Sequence, residues 1–236
     1  MKKIIHIVLS ITIVLSACKK EEEYLSPQNI THPTGMTYVP DDNFEAYLEE
    51  NGWGNGIEDD NYVSTDNIKD HWQLNIPNLN ISDATGIQDF TSVQVVRCYN
   101  NQIKSLKINS PVLEYLYANN NELTSIDLSP NTSLIRVSLN DNQLNSIDIS
   151  GNPQLINLNC SNNQLTTLNL KNGNNLNFAS ISCTYSIKTF GNPNLTCITV
   201  DNVDWATNNW VCGTQIDNHH FFSENKDKLD EDSLRR

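Results

Sequence analysis

Glycine and positive charge are both scarce in this 236-residue chain. Nine glycines are present, and 15 Lys and Arg stand against 28 Asp and Glu, for a formal net charge of −13. An acidic surface repels nucleic-acid phosphates, which excludes a general nucleic-acid binder. No P-loop, G-x-S-x-G, C-x-x-C or H-E-x-x-H pattern occurs, so the commonest phosphate-cradling, hydrolytic, redox and zinc-hydrolase motifs are missing. No apolar run reaches the roughly 20 residues of a bilayer-spanning helix. Hydrophobic residues make up 38%, low for a globular chain but too high for full disorder.

The five histidines do not converge in sequence. His6 falls in the apolar start, His32 in a Pro-containing stretch, and His219-His220 just before Phe221-Phe222. Neighbouring residues on a strand point to opposite faces, so the last pair is set aside as a metal site. Asp59, Asp60 and Asn61 lie in a Gly-rich surface loop without the spacing of an EF-hand. The expectation is a non-enzymatic protein with no cofactor and no metal.

What is present begins with Lys2 and Lys3, an apolar stretch over 4–15, and Leu15-Ser16-Ala17-Cys18. This has the form of a signal peptide, and its end resembles a bacterial lipobox. That resemblance implies removal of residues 1–17, acylation of Cys18 and attachment to the membrane without a spanning helix. Lys19-Lys20-Glu21-Glu22-Glu23 resembles an export signal to the outer face of the outer membrane. Residues 18–37 are expected to form the lipid attachment and a flexible tether, of about 25 Å as a random coil. Asp41 to Asn51 reads as a short helix, with Asp41 or Asp42 as its cap and Phe44, Tyr47 and Leu48 on one face.

Asparagine is the most conspicuous excess, at 36 residues. From Leu113 the chain reads LEYLYANNNE, LTSIDLSPNTS, LIRVSLNDNQ, LNSIDISGNPQ, LINLNCSNNQ, LTTLNLKNGNN. Leading leucines at 113, 123, 134, 144, 155 and 165 alternate in steps of 10 and 11. Each half-turn has the form L-x-x-L-x-L-x-x-N, a strand-like alternation with its apolar residues inward, followed by a turn. An earlier turn runs through Val93, Val96, Cys98, Asn101 and Ile103, and a later one is expected to begin at Leu176, Ala179 and Ile181. Leu195, Ile198 and Val200 read as a last, irregular strand.

Segments such as Asn121-Glu122-Leu123-Thr124-Ser125-Ile126-Asp127-Leu128-Ser129 resemble leucine-rich-repeat proteins of the bacterial subclass with nested 21-residue repeats, internalin-like in the broad sense. The resemblance covers roughly residues 70 to 200. It implies a mainly β solenoid, a leucine-rich-repeat superhelix of parallel strands with a short N-terminal capping helix and an irregular C-terminal cap. It also implies recognition or adhesion as the function. The expected organisation is a lipoprotein signal peptide at 1–17, lipid attachment and tether at 18–37, an N-terminal cap at 38–73, the solenoid at 74–200, and a C-terminal cap and charged tail at 201–236.

Numbering the half-turn from its first Leu, positions 3, 5 and 7 face outward on the main sheet. This clusters Tyr99, Tyr115 and Tyr117 beside Arg97 and Arg136, residue types favoured at binding hot spots. Phe178, Ser180 and Ser182 are expected at these positions in a later coil. Position 9 holds Asn101, Asn121, Asn142 and Asn163, expected to form a structural ladder, with Asn121, Asn142 and Asn163 largely buried and bonded to turn backbone. Cys98 and Cys160, about 14 Å apart, are too distant for a disulfide. A Cys197–Cys212 bond is expected to close the end cap, with Cys183–Cys212 as its competitor. The expected function is a monomeric, outer-membrane, lipid-anchored and surface-exposed module that binds protein or glycan. The alternative is an envelope spacer with no specific ligand.

Overall fold

The structure is a computed structural model that describes residues 32–175, 187–210 and 216–225. Cys18, the signal and tether residues up to 31, Cys183, Cys212 and the tail from 226 lie outside the described residues.

The N-terminal end is closed by a small cap. Strand β1 (Met36–Tyr38) pairs antiparallel with β2 (Tyr62–Ser64), and helix α1 (Asp42–Glu50) lies between them in sequence. A short helix, α2 (Thr65–Ile68), follows β2. Asp41 starts α1 by accepting the Phe44 N–H at 3.2 Å, satisfying a donor that has no partner within the helix. Its other oxygen accepts Ser82 N at 2.8 Å, Ser82 Oγ at 3.0 Å and Asp83 N at 3.1 Å. One carboxylate therefore ties the capping helix to the first coil. Burial pushes its pKa up, but these hydrogen bonds outweigh it and hold the group below its usual value. Phe44 and Leu48, one helical turn apart, are fully buried, and Tyr47 packs at the edge of the same core.

The Gly-rich loop after α1 is fastened to the helix rather than projecting freely. Glu49 accepts Asn55 N at 2.7 Å and Gly56 N at 3.0 Å. Glu45, only 1% exposed, accepts Asp60 N at 3.1 Å through Oε1, and its Oε2 has no hydrogen-bond partner. Burial, with the Asp60 carboxyl beside it, pushes the Glu45 pKa up.

Parallel strands then stack. Strands β3 (Gln73–Asn75), β4 (Val95–Arg97), β5 (Tyr115–Tyr117) and β6 (Arg136–Ser138) pair in chain order. From there the chain alternates between two sheets. Strands β8 (Asn157–Asn159) and β10 (Ile187–Lys188) extend the first. Strands β7 (Ser146–Asp148), β9 (Thr167–Asn169) and β11 (Cys197–Thr199) build the second. The alternating pattern fixes which side chains point inward. Leu74, Val96, Leu116, Val137, Leu158 and Ile187 form one buried column, each paired with its neighbour in register.

Two expectations about the later coils need correction. The strand that pairs with β8 is Ile187–Lys188, not the segment carrying Phe178, Ser180 and Ser182, which lies outside the described residues. The coil is longer than its neighbours: Asn163 to Asn192 is a step of 29, against 21 from Asn142 to Asn163. Second, regular structure continues past Val200. Helix α3 (Val203–Asn209), capped by Asn202, leads to β12 (Phe221–Ser223), which pairs in parallel with β11. Trp210 is buried in edge-on contact with Trp205 and Phe222, at ring centroid distances of 5.6 and 5.7 Å.

Three asparagine columns hold the coils together. In the first, Asn121 donates to Cys98 O (2.9 Å) and Ala118 O (3.2 Å) and accepts from Ile103 N (3.0 Å). Asn142, Asn163 and Asn192 repeat this arrangement one coil at a time, and Asn101 does so at the start with Ile76 O, Cys98 O, Leu79 N and Ile81 N. Each side chain thus bonds its own turn and the coil before it. A second column, not recognised in the sequence, uses Asn131, Asn152 and Asn172 on the other half-turn, all buried and donating to carbonyls of the preceding coil.

The third column is exposed. Asn78, Asn100, Asn120, Asp141 and Asn162 adopt positive φ, the left-handed conformation that Asn and Asp tolerate best among residues with a Cβ. Their side chains bond one another, Asn100 to Asn78 at 2.9 Å and Asn120 to Asn100 at 2.7 Å. Gly191 takes the same place in the last coil. The repeats need few glycines because these residues take the left-handed positions.

Candidate binding face

The outward register of the first sheet sets the candidate site. In β5 the inward Leu116 is fully buried, while Tyr115 and Tyr117 on either side are half-buried and face outward. Register places Val95, Tyr115, Arg136 and Asn157 in one outward column. Arg97, Tyr117, Ser138, Asn159 and Lys188 form the next. Val95 is covered despite pointing outward. The Arg97 guanidinium lies 5.5 Å from the centre of the Tyr117 ring, within range of a cation–π contact. Arg136 is exposed, and Tyr99 is half-buried two residues beyond Arg97.

A shallow hollow of about 210 Å³ opens on this face, bounded by Tyr117, Arg136, Ser138, Asn157, Asn159 and Lys188. It brings together two of the five expected ligand contacts, Tyr117 and Arg136. Arg97, Tyr99 and Tyr115 are outside its lining, though Arg97 rests on Tyr117. Lys188 was missed in the sequence. The signal was available, because Ile187-Lys188-Thr189-x-x-Asn192 keeps the end of the repeat with Thr189 in the second apolar place. Among the described residues Arg97, Arg136 and Lys188 form no ion pair with a carboxylate.

The second sheet carries a larger hollow, about 360 Å³, floored by β7, β9 and β11. Its outward side chains are small and polar: Ser146, Asp148, Thr167, Asn169 and Thr199. They are largely occupied with one another and with local turns. Asp148 accepts Ser150 N at 2.8 Å and the Asn169 amide at 3.0 Å. With no aromatic ring or cation in its lining, this hollow offers less to a ligand than the first face.

Cys197 borders this hollow, buried and as a free thiol. Cys212, its expected disulfide partner, lies outside the described residues. Cys197 sits within the second sheet, opposite Phe221 of β12, rather than on an open outer strand. Cys98 and Cys160 are also free and fully buried, and burial pushes both thiols up to about 12.

A separate cluster lies at the C-terminal end. Asp217, His219 and His220 occupy a turn before β12, closed by His220 N donating to Asp217 O at 3.0 Å. The premise that set this histidine pair aside was wrong. The two are not strand neighbours pointing apart, and their ring centroids are 4.4 Å from each other. Burial, more than any neighbouring charge, pushes the His220 imidazole below its usual pKa.

No family model matches the chain, and no curated protein does. Solved structures do. The functional domain of InlJ from Listeria monocytogenes, described as including a cysteine ladder, is similar over 70% of this chain, at 27% identity and a TM-score of 0.52. This chain covers 38% of that one. An internalin (inlF) from Listeria monocytogenes strain 4b F2365 is similar at 14% identity and a TM-score of 0.45, over 78% of this chain and 68% of that one. The described cysteines here form no ladder, because Ala118 and Leu139 separate Cys98 from Cys160 in their column.

Proposed function

We propose that this chain, an internalin-like leucine-rich-repeat solenoid of parallel strands, is a lipid-anchored binding module of the bacterial envelope rather than an enzyme. Its ligand-binding face is the outward side of the first sheet, with Tyr99, Tyr115 and Tyr117 flanked by Arg97 and Arg136 and extended by Lys188. The observation that carries this reading is charge placement. In a protein of net charge −13, three cations stand on one face, around tyrosine rings and without carboxylate partners among the described residues. Such a face suits a protein segment or glycan that bears carboxylates: rings stack on sugar or apolar groups, and guanidinium groups pair with carboxylate oxygens.

Anchoring is read from Leu15-Ser16-Ala17-Cys18, with Cys18 as the acylated residue, the outer membrane as the address and a monomer as the working unit. No described helix is long and apolar enough to cross a membrane. The test is capture on arrays of carboxylated and neutral glycans and of acidic and neutral peptides. The expected result is retention on the carboxylated class that weakens with salt and is lost in the double variant Arg136→Glu, Lys188→Glu. Equal retention of the double variant would overturn the assignment of this face. Failure to retain any of these ligands would favour the spacer role.

A further inference from the structure

We infer that Asp217, His219 and His220 form a binding site for a divalent transition metal of the zinc class at the C-terminal end of the solenoid. The three residues each place one ligand atom within 4.8 Å of the other two. A tetrahedral zinc with bonds of about 2.0–2.1 Å holds its ligand atoms roughly 3.4 Å apart. Asp217 Oδ2 and His220 Nε2 are already 3.7 Å apart, so closing this edge on an ion needs only a small movement. His219 is exposed and free to swing toward it.

The surroundings orient both inner groups. The His220 side chain is fully buried, and its Nδ1 lies 3.2 Å from the buried Thr189 hydroxyl. A partner on the far nitrogen is what normally fixes the ring of a ligating histidine. Its Nε2 faces two oxygens, Asp217 Oδ2 at 3.7 Å and Asn192 O at 3.5 Å. Both distances exceed the usual 2.7–3.2 Å of an N–H···O bond, so this edge of the ring is loosely held. Asp217 is pinned by the Gly191 N–H at 2.9 Å.

Closing the last coil explains Asp217 and His220, since Asp217 takes over an N–H that earlier coils give to the next backbone. It does not explain His219, whose imidazole sits against His220 on the solvent side. Two imidazoles and one carboxylate suit zinc, copper or nickel better than calcium or magnesium, which prefer all-oxygen shells. Three protein ligands leave a fourth position for water. A bound ion would clamp the final turn onto the Thr189–Asn192 coil.

The test is titration of the tag-free, chelator-stripped protein with Zn²⁺ alone, by calorimetry and by thermal unfolding. One ion per chain is expected, with an unfolding midpoint that rises with zinc concentration. His219→Ala removes an exposed side chain, so the apo protein should unfold as wild type does. Its zinc affinity should fall at least about tenfold, the loss that even outer partners of a ligand can cause. Asp217→Asn should act in the same direction. Cobalt substitution should give a spectrum of nitrogen and oxygen ligation. The inference is overturned by absence of saturable zinc binding, by unchanged affinity in His219→Ala, or by a thiolate charge-transfer band that would place the ion on cysteines.

Discussion

Replacing Asn142 by Leu keeps the shape of the side chain and removes its polar atoms, and the ladder geometry sets what is lost. The Asn142 oxygen is the acceptor for Leu123 N–H at 3.0 Å, and that buried donor is left unpaired, at about 1–3 kcal/mol. The three carbonyls it serves are not orphaned: Asn140 O, at 3.3 Å, still receives the Asn120 N–H at 3.0 Å. Ala118 O still receives Asn121 at 3.2 Å, and Leu139 O still receives Asn163 at 2.9 Å. Thinning these bonds adds up to about 1 kcal/mol. The sum is about 1–4 kcal/mol, or a fall in Tm of roughly 2–16 °C for a domain of this size. The shared carbonyls give a sharper test. Asn121→Leu with Asn142→Leu strips Ala118 O of both donors, so the pair should lose at least about 0.5 kcal/mol more than the sum of the singles. Asn121→Leu with Asn163→Leu shares no carbonyl and should be additive. Calorimetric or denaturant unfolding of the three single and two double variants decides. An unchanged Tm in the single variant, or equal coupling in both pairs, would refute the ladder as the link between coils.

Asp41→Ala should destabilise the protein by about 2 kcal/mol at pH 7, since it removes a helix cap and the tie to Ser82 and Asp83. The Asp41 pKa is lowered on folding, so its contribution is present above the unfolded value and lost as pH falls through the native one. The variant and wild type should therefore converge in acid, which pH-dependent unfolding checks. Glu45 has the opposite sign. Its pKa is raised, so stability falls as pH rises from the unfolded value through the native one. Glu45→Gln should raise Tm at pH 7 and lose that advantage near pH 4; a lower Tm at both would contradict the buried-carboxyl account. Cys98 and Cys160 should resist thiol reagents in the native protein, being buried and with thiols pushed up to about 12, and rapid native labelling at either would show that the core opens.

The solenoid was legible because its signal is redundant. Leu113, Leu134 and Leu155 mark one series of coil starts and Leu123, Leu144 and Leu165 the other, and each fixes which neighbours face inward. The outward placement of Tyr115 and Tyr117 followed from the same register. Features made by single long-range contacts were not legible. Pairing of the three-residue strands β1 and β2 depends on a partner 28 residues away at Met36 and Ser64, and neither segment shows periodicity of its own. Lys188 was hidden by a longer coil and by Thr189 in an apolar place. His219 and His220 were misjudged because strand β12 starts at Phe221, after both of them. Strand β12, which covers Cys197, was not foreseen either.

The central claim is that the outward face of the first sheet binds, and the tyrosines of β5 test it most directly. Tyr115 and Tyr117 flank the buried Leu116 and are only half-buried themselves, so the double variant Tyr115→Ala, Tyr117→Ala should keep the wild-type fold. Binding of the captured carboxylated ligand should be measured for both proteins by calorimetry, with thermal unfolding alongside. The account predicts at least about a tenfold weaker Kd, in line with the loss of hot-spot aromatics, and an intact cooperative transition. Unchanged affinity in a folded double variant would contradict it and move the site to the second sheet or to the C-terminal end.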